Sequence, residues 1–175
     1  EHVRRDTQRV PVPASVLVPL VVRENHISLL LTQRTAHLHD HAGQISFPGG
    51  KFDLKDVSLD QTALREAYEE IGIVKNDVSI FKKMTDVFIP PSNFVVTPYL
   101  SYLDYTPVFT KNHEVEDLIE VNVTDFLCDS AITSTNLSTS YAKNIEVPCF
   151  KLNNYIVWGA TAMMLSEIKE LIKVI

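Results

Sequence analysis

The run Arg65-Glu66-Ala67-Tyr68-Glu69-Glu70-Ile71-Gly72-Ile73 places three carboxylates within five residues. Glu66 and Glu70 are four apart and share one face of any helix through them; Glu69, three from Glu66, lies beside them. Like charges at this spacing cost about 0.2–0.5 kcal/mol per pair. Gly72 suits a left-handed residue just past a helix end. The acids then fall in the last turns, at the negative end of the dipole, where each is disfavoured by about a few tenths of a kcal/mol. Arg65 can pair with Glu69 at i,i+4, whereas Glu66 and Glu70 have no Lys or Arg on their own face. Local rules broken together tend to mark functional sites. A hard divalent cation resolves the conflict, since Mg²⁺ and Mn²⁺ take oxygen ligands and keep waters and substrate phosphates in their shell. Glu66, Glu70 and Glu69 are therefore read as ligands of Mg²⁺ or Mn²⁺. A bare run of this kind is more often a solvated acidic face, so the segment in front of it decides.

That segment is Gly49-Gly50 followed by fourteen residues up to Arg65. Between them, Lys51-Phe52-Asp53-Leu54-Lys55-Asp56 offers backbone amides, two lysines and two carboxylates. Only 5 glycines occur in 175 residues, and Gly43, Gly49, Gly50 and Gly72 fall within thirty of them. Backbone freedom is concentrated where a loop must take unusual dihedrals or let a ligand approach.

The elements that must hold these groups follow from periodicity. Ala63, Leu64, Ala67, Tyr68 and Ile71 recur at helical spacing, predicting a helix over 59–71 with Asp60 as N-cap. Strands are expected at 15–22, 27–32, 78–87, 95–103, 118–123 and 145–152, with a short extended piece at 46–50. Thr124 to Leu127 opens a short helix. Trp158, Ala162, Leu165, Ile168 and Ile172 mark a C-terminal amphipathic helix. The order is strand-rich with two main helices, which reads as α+β with a mixed central sheet.

From Arg65 onward the sequence resembles the Nudix box, Gly-x5-Glu-x7-Arg-Glu-U-x-Glu-Glu-x-Gly-U, with U a bulky aliphatic. Asp56 stands at the first Glu, and the stretch from Gly50 to Arg65 is one residue longer than the pattern. Upstream, Leu30-Leu31-Thr32-Gln33-Arg34 and Gly43-Gln44-Ile45-Ser46-Phe47-Pro48-Gly49-Gly50 are similar to the signature of the coenzyme A pyrophosphatase branch of Nudix hydrolases. His39 stands where that signature usually has Arg, and Thr35 where it usually has Ser or Ala. Looser matches are Pro98, Glu114-Val115 and Trp158-Gly159-Ala160-Thr161-Ala162; the resemblance spans roughly residues 14–165.

The resemblance implies an α/β/α sandwich and metal-dependent hydrolysis of the pyrophosphate bond of coenzyme A or an acyl-CoA. The products would be 3′,5′-ADP and (acyl-)4′-phosphopantetheine. It implies catalytic roles for Glu66, Glu69 and Arg65 and substrate contacts from Arg34, Gly49, Gly50, Lys51 and His39. Two alternatives stay open: another nucleoside diphosphate derivative such as ADP-ribose, or a non-catalytic binding module of the same fold.

His37, His39 and His41 alternate and would suit zinc by spacing, but a polar loop over a substrate pocket is the simpler reading. Glu114 and Glu116 are candidate loop acids for proton removal. Cys128 and Cys149 lack a His or Cys partner at a telling spacing, and Trp158 reads as a core anchor for the last helix. Two cysteines exclude a disulfide scaffold and a four-thiolate zinc site. At 175 residues the chain reads as one domain over 1–175. A net charge of −6 speaks against a broad basic nucleic-acid face. No apolar run is long enough to span a membrane, and Glu1-His2-Val3-Arg4-Arg5 carries no apolar signal region. A cytoplasmic monomer or homodimer acting on a small nucleotide substrate is expected.

Overall fold

The computed structural model describes residues 9–39, 41–105, 107–138 and 143–174. The N-terminal pentapeptide read above for a signal region lies outside them.

Strand β1 (Val12–Val22) is the spine of the main sheet. On one edge it runs parallel to β7 (Phe94–Leu103) over ten partners, from Val12↔Phe94 to Val21↔Leu103. Its other edge is shared. Leu20–Val22 pairs with the start of β2 (Ile27–Arg34), while Ala14–Val16 pairs with β4 (Gly49–Lys51). Beyond Leu29, β2 leaves β1, pairing with β8 (Val115–Asn122) on its far edge and with β3 (Ile45–Ser46) on the near one. β3 and β4 thus fill the gap between two splayed strands. The Leu17 N–H donates to the Pro48 carbonyl at 2.8 Å and holds the connecting turn there. This splay carries Gly49-Gly50 onto the middle of the sheet.

β5 (Ser79–Lys83) and β6 (Val87–Ile89) both pair antiparallel with β7. The single strand expected at 78–87 is therefore broken. The Met84 N–H donates to the Pro98 carbonyl, and the Asp86 carboxylate accepts from Thr97 Oγ1, so the chain leaves the ladder over 84–86 and pairs again farther along β7. A second sheet, β9 (Ile132–Leu137), β10 (Ile145–Leu152) and β11 (Tyr155–Val157), was only one-third foreseen. β9 is polar from Thr133 to Asn136 and largely exposed, so it carries no apolar alternation. β11 is made by the two left-handed residues Asn153 and Asn154 (φ 48° and 67°), which turn β10 back on itself.

Helix α1 (Leu59–Ile71) covers one face of the main sheet. Ala63, Leu64, Ala67 and Ile71 pack with Leu17, Val21, Leu30 and Leu103. The other face is covered by α3 (Gly159–Lys173), the short α2 (Val123–Leu127) and the second sheet, around Phe126, Phe150, Leu165 and Ile168. The result is the expected α+β sandwich with a mixed central sheet. The bounds of α1 agree with the periodicity, and Gly72 takes the left-handed conformation (φ 78°) with its N–H on the Tyr68 carbonyl. The N-cap differs: Ser58 is the extended residue before the helix, and its hydroxyl donates to Asp60, which sits in the first turn where an acid suits the dipole. Trp158 is half-buried and precedes α3. Among the described residues, no helix is long and apolar enough to cross a membrane.

Candidate active site

Three elements build the site: the last two turns of α1, strand β4, and the loop between them. Arg65 ties them together. Its Nε donates to Asp56 Oδ1 (2.8 Å) and its Nη2 to Asp56 Oδ2 (3.0 Å), a bidentate pair with side chains 21% and 4% exposed. The same Nη2 reaches the Lys51 carbonyl at 3.2 Å. Nη1 donates to Glu66 Oε1 at 3.0 Å and to Glu69 at 3.3 Å. One guanidinium thus fixes the loop to the helix and aligns two of the three acids. The i,i+4 pair with Glu69 was expected; the bond to the adjacent Glu66 was not, because helix-face reasoning does not predict a neighbour bent back toward its own guanidinium. Asp56 also accepts from the Asp53 N–H and from Thr62 Oγ1. Its carboxyl is held well below the usual range, first by the Arg65 bond. Arg65 in turn holds its proton more tightly, again chiefly through Asp56.

Gly49 and Gly50 allow close approach, whereas the unusual dihedrals fall at Gly43 and Gly72. A Cβ on Gly50 would lie 2.6 Å from the carboxylate carbon of Glu66, and one on Gly49 would lie 2.2 Å from the Ser15 carbonyl oxygen. Sheet and helix therefore pack backbone to carboxylate at β4.

Glu70 points inward. It is 4% exposed, and its Oε1 has no hydrogen-bond partner. Its pKa is pushed up to about 8, first by burial, then by the charges of Glu66 and Glu114; Arg34 and a backbone hydrogen bond from Gly49 oppose this. Glu66 is also raised, mainly by burial, against the pull of Arg65. A buried acid with an orphan oxygen, beside other acids, is the environment a hard cation would relieve. Among the described residues, no three His, Cys, Asp or Glu side chains already form a cage. An open acidic face of this kind fits a cation that arrives with waters and substrate phosphates.

The other expected site residues fall around this face. Arg34 ends β2 and acts electrostatically on Glu70. Lys51 ends β4, with Nζ 5.3 Å from the centre of the Phe94 ring, a cation–π contact at the sheet edge. His39 is set apart. It lines a cleft with His41, Ala42, Gln44, Pro91 and Ser92 that includes none of the acids. His37 Nε2 lies 3.4 Å from Thr35 Oγ1, and no metal-holding group including these histidines occurs among the described residues.

The two loop acids separate. Glu116 lies exposed in β8, its carbonyl taking Lys111 Nζ. Glu114 bears on both Glu66 and Glu70. Asn112 was missed: its N–H donates to the Glu70 carbonyl at 2.9 Å. The signal that could have found it is the triplet Asn112-His113-Glu114, an Asx residue two before an acid.

The sequence matches the NUDIX domain family over residues 11–137. It is 34% identical over 162 residues to a Nudix hydrolase of uncharacterised specificity, NudL, from Yersinia pestis (strain Pestoides F), covering 92% of this chain and 80% of that protein. NudL of Yersinia pseudotuberculosis serotype O:1b is similar to the same extent. Among solved structures, the Nudix hydrolase RenU from M. smegmatis superposes with a TM-score of 0.65 at 17% identity, over 94% of this chain and 88% of that one. A C. elegans Ap4A hydrolase binary complex gives 0.56 at 23% identity, over 64% and 81%. The NUDIX domain of Shewanella oneidensis NrtR complexed with ADP ribose gives 0.53 at 20%, over 71% and 82%. These structures share the fold.

Proposed function

The chain belongs to the Nudix family and is a Nudix hydrolase, a pyrophosphohydrolase of nucleoside diphosphate derivatives; we propose that its substrate is coenzyme A or an acyl-CoA. The observation that carries this choice is the paired signature of residues 30–34 and 43–50. The tertiary structure supports reading its two halves as one unit. Thr32 pairs with Ser46 across β2 and β3, and the Arg34 N–H donates to the Gln44 carbonyl at 2.9 Å. The second half runs into β4, and Arg34 at the end of the first bears electrostatically on Glu70.

In this reading the whole of residues 1–175 is one Nudix domain, acting in the cytoplasm as a monomer or homodimer on a small nucleotide substrate. Glu66 and Glu70 would hold Mg²⁺ or Mn²⁺, with Glu69 at the exposed rim. When bound, the cation screens the diphosphate charge and makes a water acidic enough to attack at neutral pH. Arg65, itself locked by Asp56, keeps the Glu66 and Glu69 carboxylates aligned. The Gly49-Gly50 backbone leaves the diphosphate room beside Glu66. Arg34 and Lys51 supply positive charge to the phosphates, and His39 borders the substrate at a greater distance. The proton leaving the attacking water passes to a carboxylate oxygen of Glu66, Glu69 or Glu114. Attack at one phosphorus breaks the P–O–P bridge and yields 3′,5′-ADP and 4′-phosphopantetheine. The protein's share is positioning and charge stabilisation.

A second reading is ADP-ribose or another nucleoside diphosphate derivative, since the box supplies the chemistry and the remaining pocket supplies the choice. The test is kcat/KM for CoA, dephospho-CoA, ADP-ribose and Ap4A with Mg²⁺ and with Mn²⁺, with products identified by chromatography. CoA is expected to lead. Dephospho-CoA is expected to trail by about 10- to 150-fold, the loss of one charge-assisted hydrogen bond of about 1.5–3 kcal/mol. ADP-ribose or Ap4A leading with both metals would overturn the CoA reading and leave the hydrolase standing.

A further inference from the structure

We propose that a cleft on the outer flank of α1 is a second binding site, for a small amphiphilic anion: an aliphatic chain ending in a carboxylate. The site is independent of which nucleotide the acids cleave.

Gln61, Leu64 and Tyr68 recur at intervals of three and four and form one stripe of α1. Glu66 and Glu70 fall on its other flank. The stripe lines a cleft of about 410 Å³, together with Lys55, Asp56 and Val57 of the preceding loop and Lys75 of the 3₁₀ turn Lys75–Asp77. That is the size of a small-ligand site.

The apolar lining is open to solvent. Val57 is 92% and Tyr68 60% exposed, beside the buried Leu64. The loop that presents Val57 is nonetheless fixed, because the neighbouring Asp56 accepts from Arg65, Thr62 and the Asp53 N–H. An apolar surface already held in place needs little ordering when a ligand arrives.

The charges of the lining are three cations, Lys55, Arg65 and Lys75, against the single carboxylate of Asp56, on a chain whose net charge is −6. Asp56 and Arg65 neutralise each other. The Arg65 donors are all taken, by Asp56, Glu66, Glu69 and the Lys51 carbonyl, so only its apolar stem is left for the cleft. The two lysines differ. Lys55 Nζ stands 4.0 Å from Asp53 Oδ2, an exposed and therefore weak pair. Lys75 has no ion-pair partner among the described residues. Two ammonium groups thus border an apolar surface with no uncompensated acid in the lining. A neutral chain would leave the ammonium groups unused, and a small anion would leave Val57, Leu64 and Tyr68 unused. An aliphatic carboxylate uses both.

The test titrates hexanoate, 1-hexanol and acetate into the metal-free full chain and follows backbone amide NMR shifts. Hexanoate should shift the amides of Lys55, Val57, Gln61 and Lys75 saturably, with a Kd of about 3 mM or tighter. 1-Hexanol should bind at least about tenfold more weakly, for want of the charge, and acetate should give no saturable shift over the same range. Lys75→Glu should weaken hexanoate by about tenfold or more and change 1-hexanol by less than about threefold. Tyr68→Ala should weaken both by a similar factor. Both positions are exposed, so both variants should fold. Glu70→Gln, on the other flank, should leave hexanoate affinity within about threefold of wild type.

No saturable shift with hexanoate overturns the proposal. So does 1-hexanol or acetate binding as tightly as hexanoate, or either cleft variant matching wild type. Shifts centred on Gly49 and Gly50, with an altered affinity in Glu70→Gln, would place the anion at the acids and overturn it as well. A wild type that fails to hydrolyse CoA changes none of these readouts, so failure of the substrate reading is told apart from failure of the cleft.

Discussion

Asp56 and Arg65 are nine positions apart and meet in a bidentate ion pair, Nε–Oδ1 2.8 Å and Nη2–Oδ2 3.0 Å, that closes the β4–α1 loop onto its own helix. The one-residue insertion between Gly50 and Arg65 and the replacement of Glu by the shorter Asp56 both fall inside this closed loop. The pair still forms because Thr62 and the Asp53 N–H also converge on Asp56. The remaining Nη1 of Arg65 is left for Glu66 and Glu69.

Asp56→Asn should therefore destabilise the protein. Breaking a buried pair by removing one charge costs about 3–5 kcal/mol. The Asp56 carboxyl is depressed from its ordinary 3.8, so its stabilisation is fully present above that value and is lost progressively as pH falls below it. Denaturant melts of wild type and variant from pH 3 to 7 should show a gap that is constant above pH 5 and shrinks below 4. A gap of the same size at every pH would mean the pair does not contribute as a charged pair.

Glu70 has the opposite sign. Its folded pKa of about 8 lies above the ordinary 4.5, so the fold favours the protonated acid. Metal-free wild type should lose stability as pH rises from about 4.5 through 8. Glu70→Gln should escape this loss and exceed metal-free wild type by more than about 1 kcal/mol above pH 8. Thermal melts of the two EDTA-treated proteins at pH 5 and 8.5 decide the matter; a variant that melts lower at pH 8.5 would show that an ionised Glu70 has a stabilising partner.

Added metal should reverse that order. Saturating Mn²⁺ or Mg²⁺ should raise the wild-type Tm by mass action and the Glu70→Gln Tm much less. EDTA should abolish turnover, and Glu70→Gln should lower kcat by about 100-fold or more. Equal metal-induced shifts in the two proteins would place the cation elsewhere.

The two glycines of β4 should fail differently. In Gly50→Ala the atoms nearest the new methyl are those of the Glu66 carboxylate, a movable group. That variant should fold with a Tm near wild type and lose activity by about 10- to 100-fold. In Gly49→Ala it meets the Ser15 carbonyl and Val16 backbone, which cannot yield cheaply, so stability should fall by about 1–3 kcal/mol or more. Melts and steady-state rates of both variants test this, and a Gly50→Ala enzyme at full rate would show that Glu66 does not need its observed position.

The sequence by itself determined α1 and what α1 carries. Helix spacing, the left-handed need at Gly72 and the clash of Glu66, Glu69 and Glu70 are properties of residues within one or two turns of each other, so local rules capture them. β10 was legible for the same reason, as a self-contained strand pattern. Tertiary structure decided what depends on residues far apart. The polar strand β9 exists only because β10 pairs with it. The glycine at 50 is required by Glu66, sixteen positions later, and the orphan oxygen of Glu70 follows from its burial in the folded chain. Glu114 was indistinguishable from Glu116 in the sequence. The Glu114 N–H donates to the Asn112 side chain and its carbonyl accepts the Thr35 N–H, which fixes one beside the end of β2, and the ladder of β8 leaves the other exposed. Burial and close approach are set by long-range packing, which no window of neighbouring residues contains.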